Sequence, residues 1–407
     1  VLDRTGQDVG GAGDVQPDGN RLRLPLSEAL DDGTYIVTYR VISADTHPVG
    51  GSFLFAVGEP VAALDPGEMA APTAKSGWWV AVAVNRFVHY TAVLLALGSV
   101  LVLLWMRVPE PAATTTYRQG FVAALVAAAA YLLAIAFGGA EMVSGGAAAF
   151  VQPKAWAMAA RSTLLPSALL GIPGALLLAW AFRGRRTGWS LWAGGVLVLL
   201  SFLITGHAAT APPVWLMATN VAVHLVCGAF WFAALAPLIV ATRRLDGRAA
   251  GDLLVQFSTR AVWTVALLFV SGLVVSFVQV RSWDQLVGTD YGLRLAVKSL
   301  LFVGLLALAA ANKVAFTPAV ARADAAGTRR LRGSMQVEYG LMLAIVLAAA
   351  SLTIVTPPRA LLAMGGAAGG TGATDGMGGM GGDGARTSAK VGTYTVDVEV
   401  TPARTGE

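Results

Sequence analysis

The sequence is poor in charged residues, in histidine and in cysteine, and each shortage excludes a class of protein. Only 13% of its 407 residues are charged and 56% are hydrophobic, whereas a soluble globular domain carries about 25% charged residues. This composition excludes a soluble protein and predicts an integral membrane protein whose main partner is the lipid bilayer. The one cysteine, Cys227, excludes an intramolecular disulfide and a metal site built from cysteines alone.

The net charge of +5 would suit a nucleic-acid partner, but the placement of the basic residues argues against one. They lie in short loops between apolar segments and form no continuous patch along the sequence. The sequence also has no phosphate-binding glycine loop, no nucleophile–base pair and no pair of catalytic carboxylates. We therefore expect no nucleic-acid partner and a protein that is not an enzyme.

Both ends of the chain have the residue pattern of β-structure. Residues 1–58 alternate apolar and polar positions, as in "GTYIVTYRVI", which predicts short antiparallel strands of a partial sandwich or barrel. Because this pattern is already under way at Val1, we expect further residues upstream. Residues 59–77 are predicted to be a linker, residues 359–389 a flexible linker rich in glycine and methionine, and residues 390–407 the start of a second β-domain.

The region between the linkers, residues 78–358, is predicted to be an eight-helix transmembrane bundle. Each of its apolar segments is close to the ~20 residues that span hydrocarbon. The third contains Arg161, Pro166 and Pro173, so we expect it to be broken or tilted. The eight segments are residues 78–105, 119–139, 155–182, 189–206, 214–241, 261–280, 291–311 and 335–355. The fold class is thus a mainly α membrane protein with β-segments at both ends.

The loops between the segments predict the orientation of the bundle. One set is rich in arginine, as at Arg183, Arg185 and Arg186, and the alternate set carries only Lys154 and Arg281. Basic loops stay in the cytoplasm, so both β-segments are expected outside the cytoplasmic (inner) membrane.

Three of the four histidines fall in or at the end of a membrane segment, where an ionisable residue is costly and suggests a functional site. His89 and His224 lie about 16 Å and about 15 Å along the first and fifth segments, at 1.5 Å per residue, so both are expected near the midplane, where two imidazoles can meet. His207 lies at the outer end of the fourth segment. The alternative is that each histidine only bonds to a neighbouring helix.

Other polar residues leave two interpretations open. Cys227 shares a helix face with His224, either as a copper(I) ligand or as a small packing residue. Arg86 is expected to pair with backbone carbonyls or an acidic partner, and Glu338 with Lys313 or Arg260. Asp45 and His47 are separated by one residue, so an extended chain points both to one face as a partial copper(II) or zinc site, although the spacing also arises by chance.

The stretch "LDDGTYIVTYRVISADTHPVGGSFLFAVG" resembles the C-terminal half of the copper resistance protein C (CopC) family. The resemblance implies a small β-barrel or sandwich that binds copper(II) outside the cytoplasmic membrane, with Asp45 and His47 as its metal-binding pair. The family's remaining histidine ligand stands at the mature N-terminus, upstream of Val1, so the site is expected to be incomplete here.

The membrane region resembles the copper resistance protein D (CopD) family over most of residues 78–358. The matching pieces are "RFVHY", "TGHA", "HLVCGAFWFAAL", "FSTRAVWTV", "YGLRLAVKSLL" and "SMQVEYGLML". The resemblance implies a bacterial protein of copper resistance or copper uptake, with copper ions as cargo and an extracytoplasmic copper chaperone as a partner.

Three functions follow as hypotheses. The first is copper transport through a histidine relay, from Asp45 and His47 to His207 and then to His89 and His224, with at least two separate copper sites. The second is a membrane redox protein that holds a b-type haem between midplane histidines. The third is a non-transporting interaction protein with structural histidines. The sequence does not determine the oligomeric state.

Overall fold

The computed structural model contains ten α-helices and six β-strands in the part of the chain that it describes. That part comprises residues 16–18, 21–23, 30–42, 48–57, 77–143, 146–206, 213–280, 282–317, 324–355, 385–391 and 394–400. The chain divides into two compact units, one made of the β-segments and one made mainly of Lys75–Thr356.

The strands form three antiparallel pairs. β1 (Gln16–Asp18) pairs with β2 (Arg21–Arg23), β3 (Gly33–Ile42) with β4 (Pro48–Val57), and β5 (Ala385–Val391) with β6 (Tyr394–Val400). In the longest pair Gly33 lies opposite Val57 and Ile42 opposite Pro48, as the alternating pattern predicts. β5 begins inside the segment that we predicted as a linker, because its backbone pairs with the β-branched residues of β6.

The ten described α-helices belong to the second unit. They are α1 (Trp79–Trp105), α2 (Ala112–Val143), α3 (Pro153–Arg161), α4 (Leu164–Arg183), α5 (Trp189–Leu203), α6 (Val214–Arg244), α7 (Gly247–Gln279), α8 (Trp283–Val287), α9 (Asp290–Ala311) and α10 (Ala325–Leu352). A 3-10 turn, Ala147–Val151, precedes α3, and a π-helical turn, Asn312–Phe316, follows α9.

Seven of these helices are long and apolar enough to cross a membrane, so the chain is a multi-pass membrane protein. They are α1, α2, α4, α6, α7, α9 and α10. The remaining predicted segment forms α5, which has 15 residues. At 1.5 Å per residue α5 is about 22 Å long, which is shorter than the ~30 Å of bilayer hydrocarbon.

The third predicted segment is broken, as its proline and arginine residues indicate. α3 ends at Arg161, Ser162 is extended, and α4 begins at Leu164. The Ser162 hydroxyl donates to the Ala159 carbonyl at 2.7 Å and accepts from the Leu164 amide at 3.2 Å. This serine therefore satisfies backbone groups on both sides of the break.

Two helices begin well before the apolar segments that predicted them, because hydropathy detects only the part of a helix within lipid. α7 begins at Gly247, where the Asp246 side chain accepts from the Ala249 amide at 2.8 Å. α10 begins at Ala325, where the Asp324 side chain accepts from the Ala326 amide at 2.9 Å. Both aspartates are N-caps, and the turns that follow them are polar.

Small residues allow the helices to pack closely. A cluster of buried alanines joins α1 to α2, as at Ala92, Ala96, Ala124 and Ala127. Close approach through small residues is the usual basis of helix association in membranes. Large apolar side chains such as Leu132 and Phe277 are exposed on the outside of the bundle, which suits contact with lipid tails.

Candidate functional site

His89 lies in the interior of the helical unit, facing α2 and α5. Its side chain is 8% exposed. Its ring meets the edge of the Tyr131 ring, with centroids 4.2 Å apart, and lies 5.3 Å from the Phe202 ring. Within the described part of the chain, His89 Nε2 is buried and has no hydrogen-bond partner. A buried nitrogen without a partner is costly, so this atom is the strongest sign of a binding site in the bundle.

A set of polar groups holds the surroundings of His89 in place. The Tyr131 hydroxyl bonds with the Ser201 hydroxyl of α5. The Ser167 hydroxyl of α4 donates to the Ser201 carbonyl at 2.9 Å. One turn before His89, the Asn85 amide donates to the Ala130 carbonyl of α2 at 3.1 Å. These bonds connect α1, α2, α4 and α5 around the imidazole.

A glycine on α4 makes room for the Tyr131 ring. A Cβ on Gly171 would lie 2.1 Å from Tyr131 Cζ, which no real contact permits. The Tyr131 ring can therefore occupy its position against His89 only because Gly171 of α4 has no side chain.

His224 faces α7 instead. Its Nδ1 lies 2.9 Å from the Ser271 hydroxyl, and that hydroxyl donates its own proton to the Leu268 carbonyl at 2.9 Å. A serine has only one hydroxyl proton, so both bonds form together in the tautomer in which His224 Nδ1 donates to Ser271. In that tautomer the neutral ring carries its lone pair on Nε2, the nitrogen that is available to a metal ion or a proton.

Two further polar residues lie around His224. The Asn220 amide, one turn earlier on α6, donates to the Ser271 carbonyl at 3.0 Å. Lys298 of α9 interacts electrostatically with the His224 ring. A cation at this ring would therefore meet repulsion from the lysine unless the lysine moved or lost its proton.

The structure does not bring His89 and His224 together. α1 and α6 meet where a Cβ on Gly98 would lie 1.9 Å from the Ala229 carbonyl oxygen and 2.6 Å from Ala233 Cβ. Gly98 follows His89 by nine residues, and Ala233 follows His224 by nine residues. Nine residues are two and a half turns, so each contact residue lies on the helix face opposite its histidine. The two imidazoles point away from each other, with both helices between them.

Cys227 lies in an apolar cluster next to Trp231, Phe232 and Leu235. It is a buried free thiol, and these neighbours give it the surroundings of a packing residue. The described residues hold no group of three or more His, Cys, Asp or Glu side chains that could enclose a metal ion. Asp45, His47 and His207 lie outside the described residues.

Glu338 was expected to pair with Lys313 or Arg260, and the structure shows other partners. The Asn312 amide of the π-helical turn bonds to its carboxylate, and the Trp231 side chain also bonds to it. Arg260 donates to the carbonyl of Gln256 on its own helix at 2.8 Å. Glu338 is 3% exposed, because α6 and α10 enclose it in their shared interior.

The two arginines at one end of the bundle pair with backbone carbonyls. Arg86 of α1 donates to the Thr353 carbonyl, and Arg294 of α9 donates to the Ser351 carbonyl at 2.8 Å. Both acceptors lie at the C-terminal end of α10, where carbonyls lack helical partners. This confirms the first of the two expectations for Arg86.

Sequence reasoning missed Tyr131, Ser201, Asn85 and Ser271. The only signal for them was a polar side chain within an apolar segment, which many membrane helices carry for packing alone.

Three family models match successive parts of the chain. Residues 1–58 match the CopC domain, residues 73–215 the copper resistance protein D-like N-terminal domain, and residues 251–352 copper resistance protein D. The order of the matches is that of a CopC/CopD fusion, which confirms the resemblance seen in the sequence.

One curated relative is Copper transport protein CutJ of Bacillus subtilis (strain 168). The two are 27% identical over 353 residues, an alignment that covers 83% of this chain and 63% of that protein. The chain thus spans less than two thirds of the length of this relative. No solved structure matches the chain.

Proposed function

We propose that this protein carries copper across the cytoplasmic membrane into the bacterial cell, using histidines of its helical region as separate stations. The observation that carries the proposal is His89, whose Nε2 is buried near the middle of the bundle without a hydrogen-bond partner among the described residues. Imidazole nitrogen is a good ligand for copper. The similarity to Copper transport protein CutJ and to the copper resistance families supports copper as the cargo.

Asp45 and His47 are the proposed entry point, since they occupy the metal-binding positions of the CopC pattern. An extracytoplasmic chaperone would deliver copper to them, and His207 would receive the ion at the outer mouth of the bundle. This route needs both β-segments outside the membrane, which is the orientation that the arginine-rich loops favour.

His89 and His224 then act as two stations rather than one cage. The imidazoles lie on opposite sides of the α1–α6 contact, so one ion does not bind both rings in this arrangement. Tyr131 orients the first ring and Ser271 orients the second. A fixed ring presents its free nitrogen in one direction, which lowers the entropy cost of binding an ion.

The same geometry weighs against a b-type haem. A haem held between two midplane histidines needs imidazoles that face each other across one iron, and here His89 and His224 face apart. We therefore expect the purified protein to show no Soret band from a haem shared by these two residues.

The test is copper accumulation in cells that express the wild type, His89→Gln or Thr116→Val. We expect His89→Gln to lower the initial uptake rate at least several-fold. Thr116→Val removes a buried hydroxyl that donates to the Ala112 carbonyl on its own helix at 3.1 Å, away from the histidines, so it is the control and should retain most of the uptake. Equal accumulation by wild type and His89→Gln, at equal protein levels in the membrane, would refute the proposal.

A further inference from the structure

A long cleft between α1, α2, α6 and α10 has no part in the proposed copper route. Its volume is ≈ 780 Å³, within the roughly 300–1,000 Å³ of small-molecule sites. On α1 the wall is formed by Phe87, Thr91 and Leu95, which repeat every four residues and so lie on one face. That face differs from the one that carries His89.

The cleft is apolar along its length and basic at one end. On α2 its wall runs from Arg118 through Val122 to Val126, again with a spacing of four residues. On α6 the wall is Val240 and then Arg244, the last residue of the helix. α2 begins at the end of the bundle where α6 ends, so both arginines lie in the same half of the cleft, with Arg118 six residues after the start of α2 and Arg244 at the end of α6. The valines continue from there toward the middle of the bundle.

Among the described residues, the side chains of Arg118 and Arg244 make no ion pair and no hydrogen bond. The cleft lining includes no carboxylate. The acidic residues nearest in sequence already have other partners: Glu110, before α2, bonds to Arg185 at 2.6 Å, and Asp246, after Arg244, accepts from the Ala249 amide at 2.8 Å. Two guanidinium groups without a partner among the described residues therefore lie in one half of an otherwise mainly apolar cleft.

The cleft opens on the lipid-facing side of the bundle. Val122 is 50% exposed, and Val88 and Val126 beside it are also exposed. Its floor is closed by Gln119, whose amide donates to the Ser99 hydroxyl and to the Ala233 carbonyl, each at 3.1 Å. A molecule in the cleft would thus touch the four helices on one side and the bilayer on the other.

We propose that this cleft binds one anionic phospholipid, with its phosphate between Arg118 and Arg244 and an acyl chain along Thr91, Leu95, Val122 and Val126. A phospholipid matches this cleft because its anionic headgroup complements the arginines and its long acyl chain complements the apolar wall. Arginine binds phosphate oxygens through several parallel N–H groups, and basic pockets between membrane helices on the cytoplasmic side are suited to anionic headgroups. In the orientation favoured above, this end of the cleft faces the cytoplasm.

Native mass spectrometry of the protein released from nanodiscs tests the role of the two arginines of the cleft. The nanodiscs contain equal amounts of dioleoyl phosphatidylglycerol and dioleoyl phosphatidylcholine. We expect the wild type to retain more phosphatidylglycerol than phosphatidylcholine. In the double variant Arg118→Gln/Arg244→Gln, the ratio of bound phosphatidylglycerol to bound phosphatidylcholine should fall by about tenfold. The matched control is Arg243→Gln/Arg248→Gln, which removes two exposed arginines at the same end that do not line the cleft.

A second pair of variants tests the apolar wall. Val122→Trp fills the cleft and should reduce the retention of both lipids. Leu132→Trp is the control, since Leu132 is 57% exposed on the same helix and lies outside the cleft. The proposal is overturned if the control arginine pair loses as much preference as the cleft pair, or if Val122→Trp retains phosphatidylglycerol like the wild type. Because the readout is bound lipid, these outcomes are independent of copper transport.

Discussion

Gly98 of α1 and Ala229 of α6 approach so closely that a Cβ on the glycine would lie 1.9 Å from the alanine carbonyl oxygen. This contact fixes the rotation of both helices about their axes. It turns His89 toward α2 and α5 and turns His224 toward α7, and so separates two imidazoles that lie at similar depths. The contact therefore determines that the bundle contains two histidine environments instead of one.

Gly98→Ala is expected to destabilise the protein by about 1–3 kcal/mol, the usual effect of overpacking a close contact. The added methyl group meets backbone, which cannot move aside without separating the helices. Thermal unfolding in detergent measures the effect. Gly304→Ala is the control, because a Cβ there has no neighbour within 4 Å. Equal melting temperatures for the two variants would show that α1 and α6 are not packed in this way.

Ser271→Ala should lower the copper affinity of the His224 station by about 10–100-fold, the usual effect of removing a residue that orients a metal ligand. The Ser271 hydroxyl is the hydrogen-bond partner of His224 Nδ1, at 2.9 Å, and so orients the ring. Isothermal titration with copper(I) under reducing conditions measures the affinity in a His47→Ala/His89→Gln/His207→Gln background, which leaves His224 as the one histidine of the proposed route.

Two variants of serines on α7 complete this test. Ser271→Thr keeps a hydroxyl and should restore most of the affinity. Ser276→Ala removes a hydroxyl that donates to the Gly272 carbonyl at 2.8 Å on its own helix, and it should have little effect. If Ser271→Thr bound copper as weakly as Ser271→Ala, the role of the hydroxyl would be only one of packing.

Glu338→Ala is expected to destabilise the protein by about 2–4 kcal/mol, because it leaves the Asn312 amide and the Trp231 side chain buried without an acceptor. Glu338→Gln retains a carbonyl oxygen that can accept from Asn312, so it should lose much less. Thermal unfolding of the two variants separates them. A Glu338→Gln protein as unstable as Glu338→Ala would mean that the negative charge itself is needed.

Glu110 lies between α1 and α2, and its pKa is held below its ordinary value of 4.5. The largest cause is the hydrogen bond from the Thr114 hydroxyl, at 2.5 Å, and Arg185 adds to it. Because the pKa is lowered on folding, the contribution of Glu110 to stability is present above pH 4.5 and is lost as the pH falls through the lowered pKa. The Glu110 and Arg185 side chains are both exposed, so this contribution to stability is small.

Thr114→Val and Arg185→Gln should each raise the pKa of Glu110 toward its ordinary value. Carbon-13 NMR of labelled glutamate side chains, titrated from neutral to acid pH, measures the shift. Arg186→Gln is the control, because Arg186 lies over the Trp180 ring with its guanidinium carbon 3.7 Å from the centroid. A Glu110 pKa unchanged in Thr114→Val would contradict the hydrogen bond.

The parts of the fold that depend on composition and local pattern could be predicted. The β3–β4 pairing followed from alternation, and the break between α3 and α4 followed from Arg161, Pro166 and Pro173. Helix starts at Asp246 and Asp324 were missed, although both are capping residues, because the prediction used apolar segments alone. α5 was predicted as a full span and has 15 residues, because the helix already ends at Leu203, with Ile204 as its C-cap.

The histidines of the candidate site could be identified from the sequence, but their neighbours and directions could not. His89 and His224 stood out because an imidazole in an apolar segment is rare, and their depths followed from counting residues along each helix. Their neighbours did not follow, because Tyr131, Ser201 and Ser271 belong to other helices. For the same reason Glu338 was assigned to a basic partner, whereas the structure pairs it with the amide of Asn312.

The sequence by itself determined that this is a multi-pass membrane protein with histidines at mid-depth, because hydropathy and residue count act along one helix at a time. The tertiary structure decided which way each histidine faces. That direction depends on how a helix is rotated about its axis, and the rotation is set by the close fit of Gly98 against Ala229 and of Gly171 against Tyr131. Such contacts join residues far apart in the chain, so no local pattern contains them.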